Sequence, residues 1–324
     1  MHILRSVPVA APRPAALTIG NFDGVHVGHQ VMLTRLLDAA RAQGLEACAM
    51  TFEPHPREFF APDKAPTRLT SLREKLELLR AAGLDRTYVM RFDYRLAQIA
   101  AEDFITRVIV RGIGARHILV GDDFRFGARR AGDLDMLRRH AERLGYTVDA
   151  MSSVVSDGER VSSTAVREAL AAGNLSRAAG LLGRAYSISG RVVRGDGLGR
   201  KLGYPTANVQ MKHNRPPVTG IFAVEVRGLG DAPLPGVASL GVRPTVKQNG
   251  TPVLEVYVFD FDRDIYGCHV RVDFFEKLRD EEKYQDLATL TRQIARDVEN
   301  ARQFFLRRDG LEAQSPVARS WQAR

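Results

Sequence analysis

The sequence predicts an α/β unit built on a parallel sheet, followed by a small antiparallel β-barrel or sandwich that ends in a helix. Three observations lead there. From residue 15 to about 150, apolar runs of strand length alternate with segments of helical periodicity, and glycines close the helices. From Tyr186 the text changes to short alternating strands joined by Gly- and Pro-rich connections, the pattern of small all-β units. The last periodic segment puts Leu287, Leu290, Ile294, Val298, Ala301 and Phe305 on one helix face.

Taken in order, Leu33, Leu36, Leu37 and Ala40 fall at i, i+3, i+4 and i+7, and Gly44 stops that helix before the run Leu45 to Phe52. Ser71-Leu72-Arg73-Glu74 is a capping box opening a helix with Leu72, Leu76 and Leu79 inward, ended by Gly83 before Thr87 to Phe92. A helix from about Ala101 ends near Gly112 before His117 to Val120. Another, carrying Leu134, Leu137, Ala141 and Leu144, ends at Gly145 before Thr147 to Val155. Such alternation implies a parallel sheet with helices on both faces and ligands at the carboxyl ends of the strands. A helix of roughly Leu175 to Leu182 ends in Gly183, which divides the chain into domains 1–183 and 184–310 and a polar tail, 311–324. The strands of the second domain are Tyr186 to Val193, Ile221 to Val226, Pro235 to Leu240, Leu254 to Phe259 and His269 to Phe275.

The sharpest local signal is Thr18 to Gln30, where an apolar run breaks into a glycine turn holding two histidines and then enters a helix. A strand ending at a helix N-terminus presents unpaired backbone N–H groups and the positive end of the helix dipole. Gly20, Gly24 and Gly28 let the backbone approach a triphosphate, and His26 and His29 add donors. The turn lacks the Gly-Lys-Ser/Thr of a Walker loop and the Gly-x-Gly-x-x-Gly of the dinucleotide fingerprint. A zinc pair is the competing reading, but Cys48 and Cys268 lie far apart in sequence and supply no partner set. Phe52-Glu53-Pro54-His55-Pro56, Gly121 to Gly127 and Ser162-Ser163-Thr164-Ala165-Val166-Arg167 also follow predicted strands. Alone, these read as a rigid loop, a turn and an N-cap. Their shared edge points to nucleotidyl transfer, with His26 and His29 as fixed donors to the reacting phosphate and Arg167 on the departing phosphates.

At 324 residues the chain is long enough for two cores, and its net charge of +9 favours anionic partners. The basic residues are spread along the chain without interleaved aromatics, so small phosphates fit better than nucleic acid. No apolar run approaches the roughly 20 residues of a membrane span. Met1 to Pro14 lacks a secretory pattern, and two cysteines make no disulfide framework. A cytoplasmic enzyme is the expectation.

Gly20-Asn21-Phe22-Asp23-Gly24-Val25-His26-Val27-Gly28-His29, the Phe-Glu-Pro-His-Pro segment, Gly121-Asp122-Asp123-Phe124-Arg125-Phe126-Gly127 and Ser162 to Arg167 together resemble the adenylyltransferase module of bacterial bifunctional riboflavin kinase/FAD synthetases. Gly197-Leu198-Gly199-Arg200-Lys201-Leu202-Gly203-Tyr204-Pro205-Thr206-Ala207-Asn208 resembles that family's kinase module. Leu254 to Tyr257, Asp260 to Gly267 and Lys277 to Glu281 extend the match, which runs from about residue 15 to 305.

The resemblance implies a Rossmann-like nucleotidyltransferase domain and a riboflavin kinase barrel. Riboflavin and ATP would give FMN, and FMN with a second ATP would give FAD and pyrophosphate. It implies His26, His29 and Arg167 as catalytic in the first reaction, with Gly20, Asn21, Phe22, Asp23, Gly24, Gly28, Ser163 and Thr164 around the nucleotide and His55, Pro56 and Asp123 on the flavin side. For the second it implies Gly197, Gly199, Lys201 and Gly203 near ATP, Thr206 and Asn208 as magnesium contacts, and Glu255 as base. Mg2+ is the implied cofactor. Riboflavin, FMN and ATP are the implied partners, without nucleic acid or membrane and with room for a homo-oligomer.

The chain departs from the family pattern at Ser239, where Asn is more usual, and at Tyr257, where His is frequent. Asp260, Asp262 and Asp264 mimic a calcium loop, but Ile265 and Arg271 occupy its Gly and Glu positions, so a charged turn is simpler. Two other readings stand beside this one. One is a nucleotidyltransferase whose second domain only binds. The other is an RNA-binding or tRNA-charging protein, which would need the Lys-Met-Ser-Lys-Ser element this chain lacks.

Overall fold

The predicted alternation builds a six-stranded sheet in order β1-β4-β3-β2-β5-β6 in the computed structural model, which describes residues 1–156, 158–195, 197–212, 215–242 and 252–314. Its strands are β1 (His2–Leu4), β2 (Ala15–Ile19), β3 (Glu46–Glu53), β4 (Arg86–Arg91), β5 (Ala115–Gly121) and β6 (Thr147–Met151), all parallel. From β2 the chain winds outward through β3 and β4, then returns to place β5 and β6 on the other side. The strand order therefore reverses between β2 and β5, and the crevice beyond that point is where such sheets bind ligands. β1 was not predicted, because three residues are too few to show alternation.

Leu17, Met50, Tyr88, Ile105, Ile109 and Ile118 pack one face of the sheet, and Ala16, Leu33, Leu36, Ala49 and Leu79 pack the other. Helix α1 (Val27–Gln43) buries Leu33, Leu36 and Ala40 and stops at Gly44, whose φ of 64° suits glycine. A short helix α2 (Pro56–Phe60) follows β3. Helix α3 (Leu72–Ala81) carries the predicted Ser71–Glu74 capping box, but its inward face differs from the expectation. Leu79 is buried with Glu74 and Lys75, while Leu72 and Leu76 are half-buried, because Glu74 turns back onto the cap and Lys75 reaches Thr51.

The predicted helix after Ala101 is α-helical only to Asp103 and continues as a wider π-helix, Phe104–Ile113. The predicted strand Thr147 to Val155 breaks after Met151, and β7 (Val155–Ser156) pairs with β8 (Glu159–Arg160) in a hairpin. Two compact units divide the chain, Met1–Ala165 and Val166–Arg324, and the division falls inside the helix Ser163–Ala171.

The second unit holds a closed antiparallel barrel in order β10-β13-β12-β11-β14-β9. Its strands are β9 (Tyr186–Val193), β10 (Ala207–Gln210), β11 (Gly220–Arg227), β12 (Leu234–Val242), β13 (Pro252–Val258) and β14 (His269–Arg279). β10 is absent from the five strands read from the sequence for this domain. Its four residues bridge β9 and β13 and close the barrel, which removes both open edges.

The helix Leu175–Leu182 packs against β9 and β14. The C-terminal helix Leu287–Gln314 lays Ala301 and Phe305 against Ile221, Ala223, Val237 and Phe259 on the outside of the barrel. Leu287, predicted on that face, is 57% exposed, and Asp297 occupies the buried stripe instead, paired with Arg279. The helix extends into the stretch read as tail, of which residues 315–324 lie outside the described part, as do Arg243, Pro244 and Thr245. Among the described residues no helix is long and apolar enough to cross a membrane.

Candidate active sites

Three neighbouring strands of the first unit, β3, β2 and β5, end side by side, and each ends in one of the predicted motifs. At the centre is the Gly20–Gly28 turn. His26 caps α1, its Nδ1 accepting the N–H of His29 at 3.3 Å. The two imidazoles stack with centroids 3.7 Å apart, and the Phe22 ring tilts onto His29 at 5.1 Å. A Cβ at Gly28 would stand 3.2 Å from the His26 ring, so glycine here leaves the ring its place over the helix. His29 Nδ1 is enclosed without a hydrogen-bond partner among the described residues. Burial first, then the charges of His26 and Lys75, hold the His29 imidazole well below its usual range and keep it neutral near pH 7.

The turn is strained and bolted down. Phe22 and Val25 are buried at φ of 48° and 40°, a region that a β-branched residue such as Val25 rarely adopts. Asp23, predicted beside the nucleotide, spends its carboxylate on the backbone N–H groups of Leu69 and Thr70 and on the Thr70 hydroxyl. Gly24 donates to Thr70 Oγ1 at 3.1 Å, and Thr51 Oγ1 donates to the Asn21 carbonyl at 3.1 Å. Asp23 thus fastens the turn. Ser163 joins it as well, donating to the Asp23 carbonyl at 2.9 Å, with Ser162 as N-cap, Thr164 exposed and Arg167 half-buried one turn on.

On the β3 side, His55 caps α2 and Pro56 begins it; Nδ1 of His55 accepts from Arg57 N–H, and Glu58 accepts from His55 N–H. Arg68 clamps this loop through Glu58 and Glu53. Burial pulls the Glu58 carboxyl upward, but the Arg68 hydrogen bond and charge outweigh it and hold the group below its ordinary range. Phe59, Phe60, Phe92 and Tyr94 meet edge to face beside it, and Phe60 and Tyr94 are 67% and 73% exposed. On the β5 side Asp123 is exposed and accepts from Arg160 at 3.2 Å. Because β2 lies between β3 and β5, His55 and Asp123 flank the histidine turn from opposite sides.

The second site lies on the barrel. Asn208 on β10 pairs with Glu255 on β13, and Glu255 pairs with Ser239 on β12. Leu254, Val256 and Val209 are buried inward, so the alternation turns Asn208 and Glu255 outward, half-buried. Gly199 and Gly195 make room beside them. A Cβ at Gly199 would meet the Tyr204 carbonyl at 2.4 Å and Thr206 Oγ1 at 3.1 Å, and one at Gly195 would meet the Asn208 side chain at 2.3 Å.

A cleft of about 240 Å³ in the same unit is lined by Arg200, Thr206, Val256, Asp262, Asp264 and Tyr266 among others. Gly197 and Gly203 bracket the short helix Leu198–Lys201 at φ of 70° and 86°. The aspartate series is a charged turn. Asp260 pairs with Arg302, and Asp264 accepts from Tyr266 N–H. Among the described residues no three His, Cys, Asp or Glu side chains converge to hold a metal. The amide oxygen of Asn208 and the hydroxyl of Thr206 are hard donors that suit Mg2+ held jointly with phosphates.

Each half of the chain finds its counterpart among known proteins. Residues 9–165 match the FAD synthetase family and residues 182–305 the Riboflavin kinase family. The chain is 46% identical over 308 residues to the bifunctional riboflavin kinase/FMN adenylyltransferase of Escherichia coli (strain K12), covering 94% of this chain and 98% of that one. The chain belongs to the bifunctional riboflavin kinase/FMN adenylyltransferase family. The family's enzyme from Pseudomonas fluorescens is 45% identical, over 93% of this chain and 97% of its own length. A solved structure titled Macrolide-efflux Protein, from Streptococcus pneumoniae, matches with TM-score 0.80 at 28% identity over 93% of this chain and 99% of its own.

Several residues that hold this family member's sites together escaped the sequence reading. Arg68 sits in a loop with no periodicity, and Lys75 reads as one charge on a solvated helix face. Thr51 and Thr70 are small polar residues beside strands and caps, where nothing in sequence marks their partners. Only the fold brings Leu69, Thr70 and Lys75 under a turn more than forty residues away.

Proposed function

We propose that this bifunctional enzyme makes FMN on the barrel and FAD at the sheet edge, in succession, each reaction using one ATP. The observation that carries the reading is the pairing, on one chain, of a histidine-capped turn at the strand-order reversal with an outward Asn208–Glu255 pair on the barrel. The functional boundary is set at Gly183/Arg184.

On the barrel, Glu255 takes the proton of the riboflavin 5′-hydroxyl as its oxygen bonds to the γ-phosphorus and the bond to the ADP oxygen breaks. Gly197, Gly199, Lys201 and Gly203 form the loop over the nucleotide, and Thr206 and Asn208 would hold Mg2+. When bound there, the ion would supply charge neutralisation for the phosphate oxygens. In the first unit, an FMN phosphate oxygen attacks the α-phosphorus of the second ATP and pyrophosphate departs. The N-terminus of α1 and the imidazoles of His26 and His29 donate to the developing charge, which needs fixed donors and no covalent nucleophile. Arg167, one turn beyond Ser163, takes the departing β- and γ-phosphates. The exposed aromatic shelf of Phe60 and Tyr94 beside His55 and Pro56 offers flat apolar surface to an isoalloxazine ring. Asp123 stands on the far side of the turn.

The partners in this reading are small molecules, and free Cys48 and Cys268 suit a reducing cytoplasm. The purified chain incubated with riboflavin, ATP and MgCl2 forms FMN and then FAD, resolved by chromatography. FMN without FAD overturns the sheet-edge assignment, and no FMN overturns the barrel assignment.

A further inference from the structure

Lys75 is a buried titratable group to which neither reaction assigns a part. It lies near the start of α3 and is 5% exposed. The position is unfavourable twice over, since the N-terminal end of a helix repels a cation and burial strips its water. Burial holds its ammonium below the usual lysine range, against the pull of Asp23 and Glu53.

What the ammonium touches is the underside of the phosphate turn. Nζ stands 3.5 Å from Thr51 Oγ1, and that hydroxyl donates to the Asn21 carbonyl. The same end of α3 is joined to the turn by Asp23 and Gly24 through Leu69 and Thr70. Around Lys75 lie Asp23 from the turn, Glu53 from β3, Glu58 from α2 and Arg68 from the loop before α3. The charges acting on His29 are those of His26 and Lys75.

We propose that Lys75 is a positioning residue for adenylyl transfer, a buried cation that fixes the strained turn through Thr51 and acts electrostatically on the stacked histidines. The inference rests on assigning this turn to the phosphates of ATP. Lys75 does not contact the reacting atoms. It sets the geometry and protonation of groups that do, because in a low-dielectric interior a charge is felt several ångströms away.

The test uses the full chain with histidine-selective NMR, the His29 resonance being assigned by its loss in His29→Ala. In Lys75→Met the His29 ring titrates at higher pH than in the wild type, and FAD formation from supplied FMN falls about tenfold with riboflavin phosphorylation unchanged. Lys75→Arg, which keeps the charge, restores the wild-type titration. A His29 titration identical in wild type and Lys75→Met overturns the proposal whatever the rate. If Lys75→Met does not fold, Thr51→Val serves: it raises KM for ATP and leaves the His29 titration in place, and an unchanged KM overturns the coupling through Thr51. Should His29→Ala make FAD at the wild-type rate, the assignment of the turn itself fails, which is a separate outcome from a failure of Lys75.

Discussion

Asn208 and Glu255 face each other across the β10–β13 ladder, and Ser239 is next in the same row on β12. A carboxylate and an amide oxygen thus project from adjacent strands onto one outer surface of the barrel.

Glu255→Gln keeps the shape of the side chain and removes its basicity. FMN formation falls by roughly a hundredfold to ten-thousandfold, the usual yield of a general base, and FAD formation from supplied FMN is unchanged. Equal loss of both activities in a chromatographic assay contradicts the separation of the two sites.

His29 makes the first unit sensitive to acid. Its imidazole titrates well below 6.5 in the folded protein, so below that pH the unfolded chain binds a proton that the folded one does not. The stabilisation is complete above about pH 6.5 and is lost as pH falls, by up to about 1.4 kcal/mol per pH unit. Denaturation of wild type and His29→Ala between pH 5 and 8 checks this: the wild-type curve is the steeper one, and parallel curves contradict it.

Arg68 joins Glu53 and Glu58 across the loop that presents His55 and Pro56. Arg68→Met leaves two half-buried carboxylates without their cation and loosens that loop. KM for FMN rises about tenfold, KM for ATP in the adenylyl step changes little, and riboflavin phosphorylation is untouched. Steady-state kinetics with each substrate varied in turn provides the check, and an equal rise in both KM values rules out a local effect on the flavin side.

The Arg279–Asp297 pair ties β14 to the C-terminal helix with two hydrogen bonds of 2.9 and 2.6 Å, and the Asp297 side chain is 5% exposed. Asp297→Ala strands the guanidinium and lowers the stability of the barrel by about 3–5 kcal/mol. Loss of riboflavin phosphorylation on heating then precedes loss of adenylyl transfer. Loss in the opposite order disproves it.

Where a motif is local, the sequence shows it. The Ser71–Glu74 capping box and the stop at Gly44 each depend on residues within one or two helical turns, so their chemistry is spelled in consecutive letters. Leu72 and Leu287 failed for the complementary reason. Helical spacing says which residues share a face, but a neighbour decides which face is covered, and there Lys75 and Asp297 took the inner places because each meets a polar partner from another element.

By itself the sequence determined the two domain classes, most of their strands and the histidine, glycine and carboxylate residues proposed to handle phosphate. Tertiary structure decided the rest: β10 closing the barrel, Asn208 brought into register with Glu255, and the end of α3 set beneath the Gly20–Gly28 turn with Asp23 and Lys75 facing inward. The reason is range. Capping and periodicity are satisfied within a few residues, whereas strand register and the partners of a buried charge are fixed by groups that only the folded chain brings within hydrogen-bonding distance.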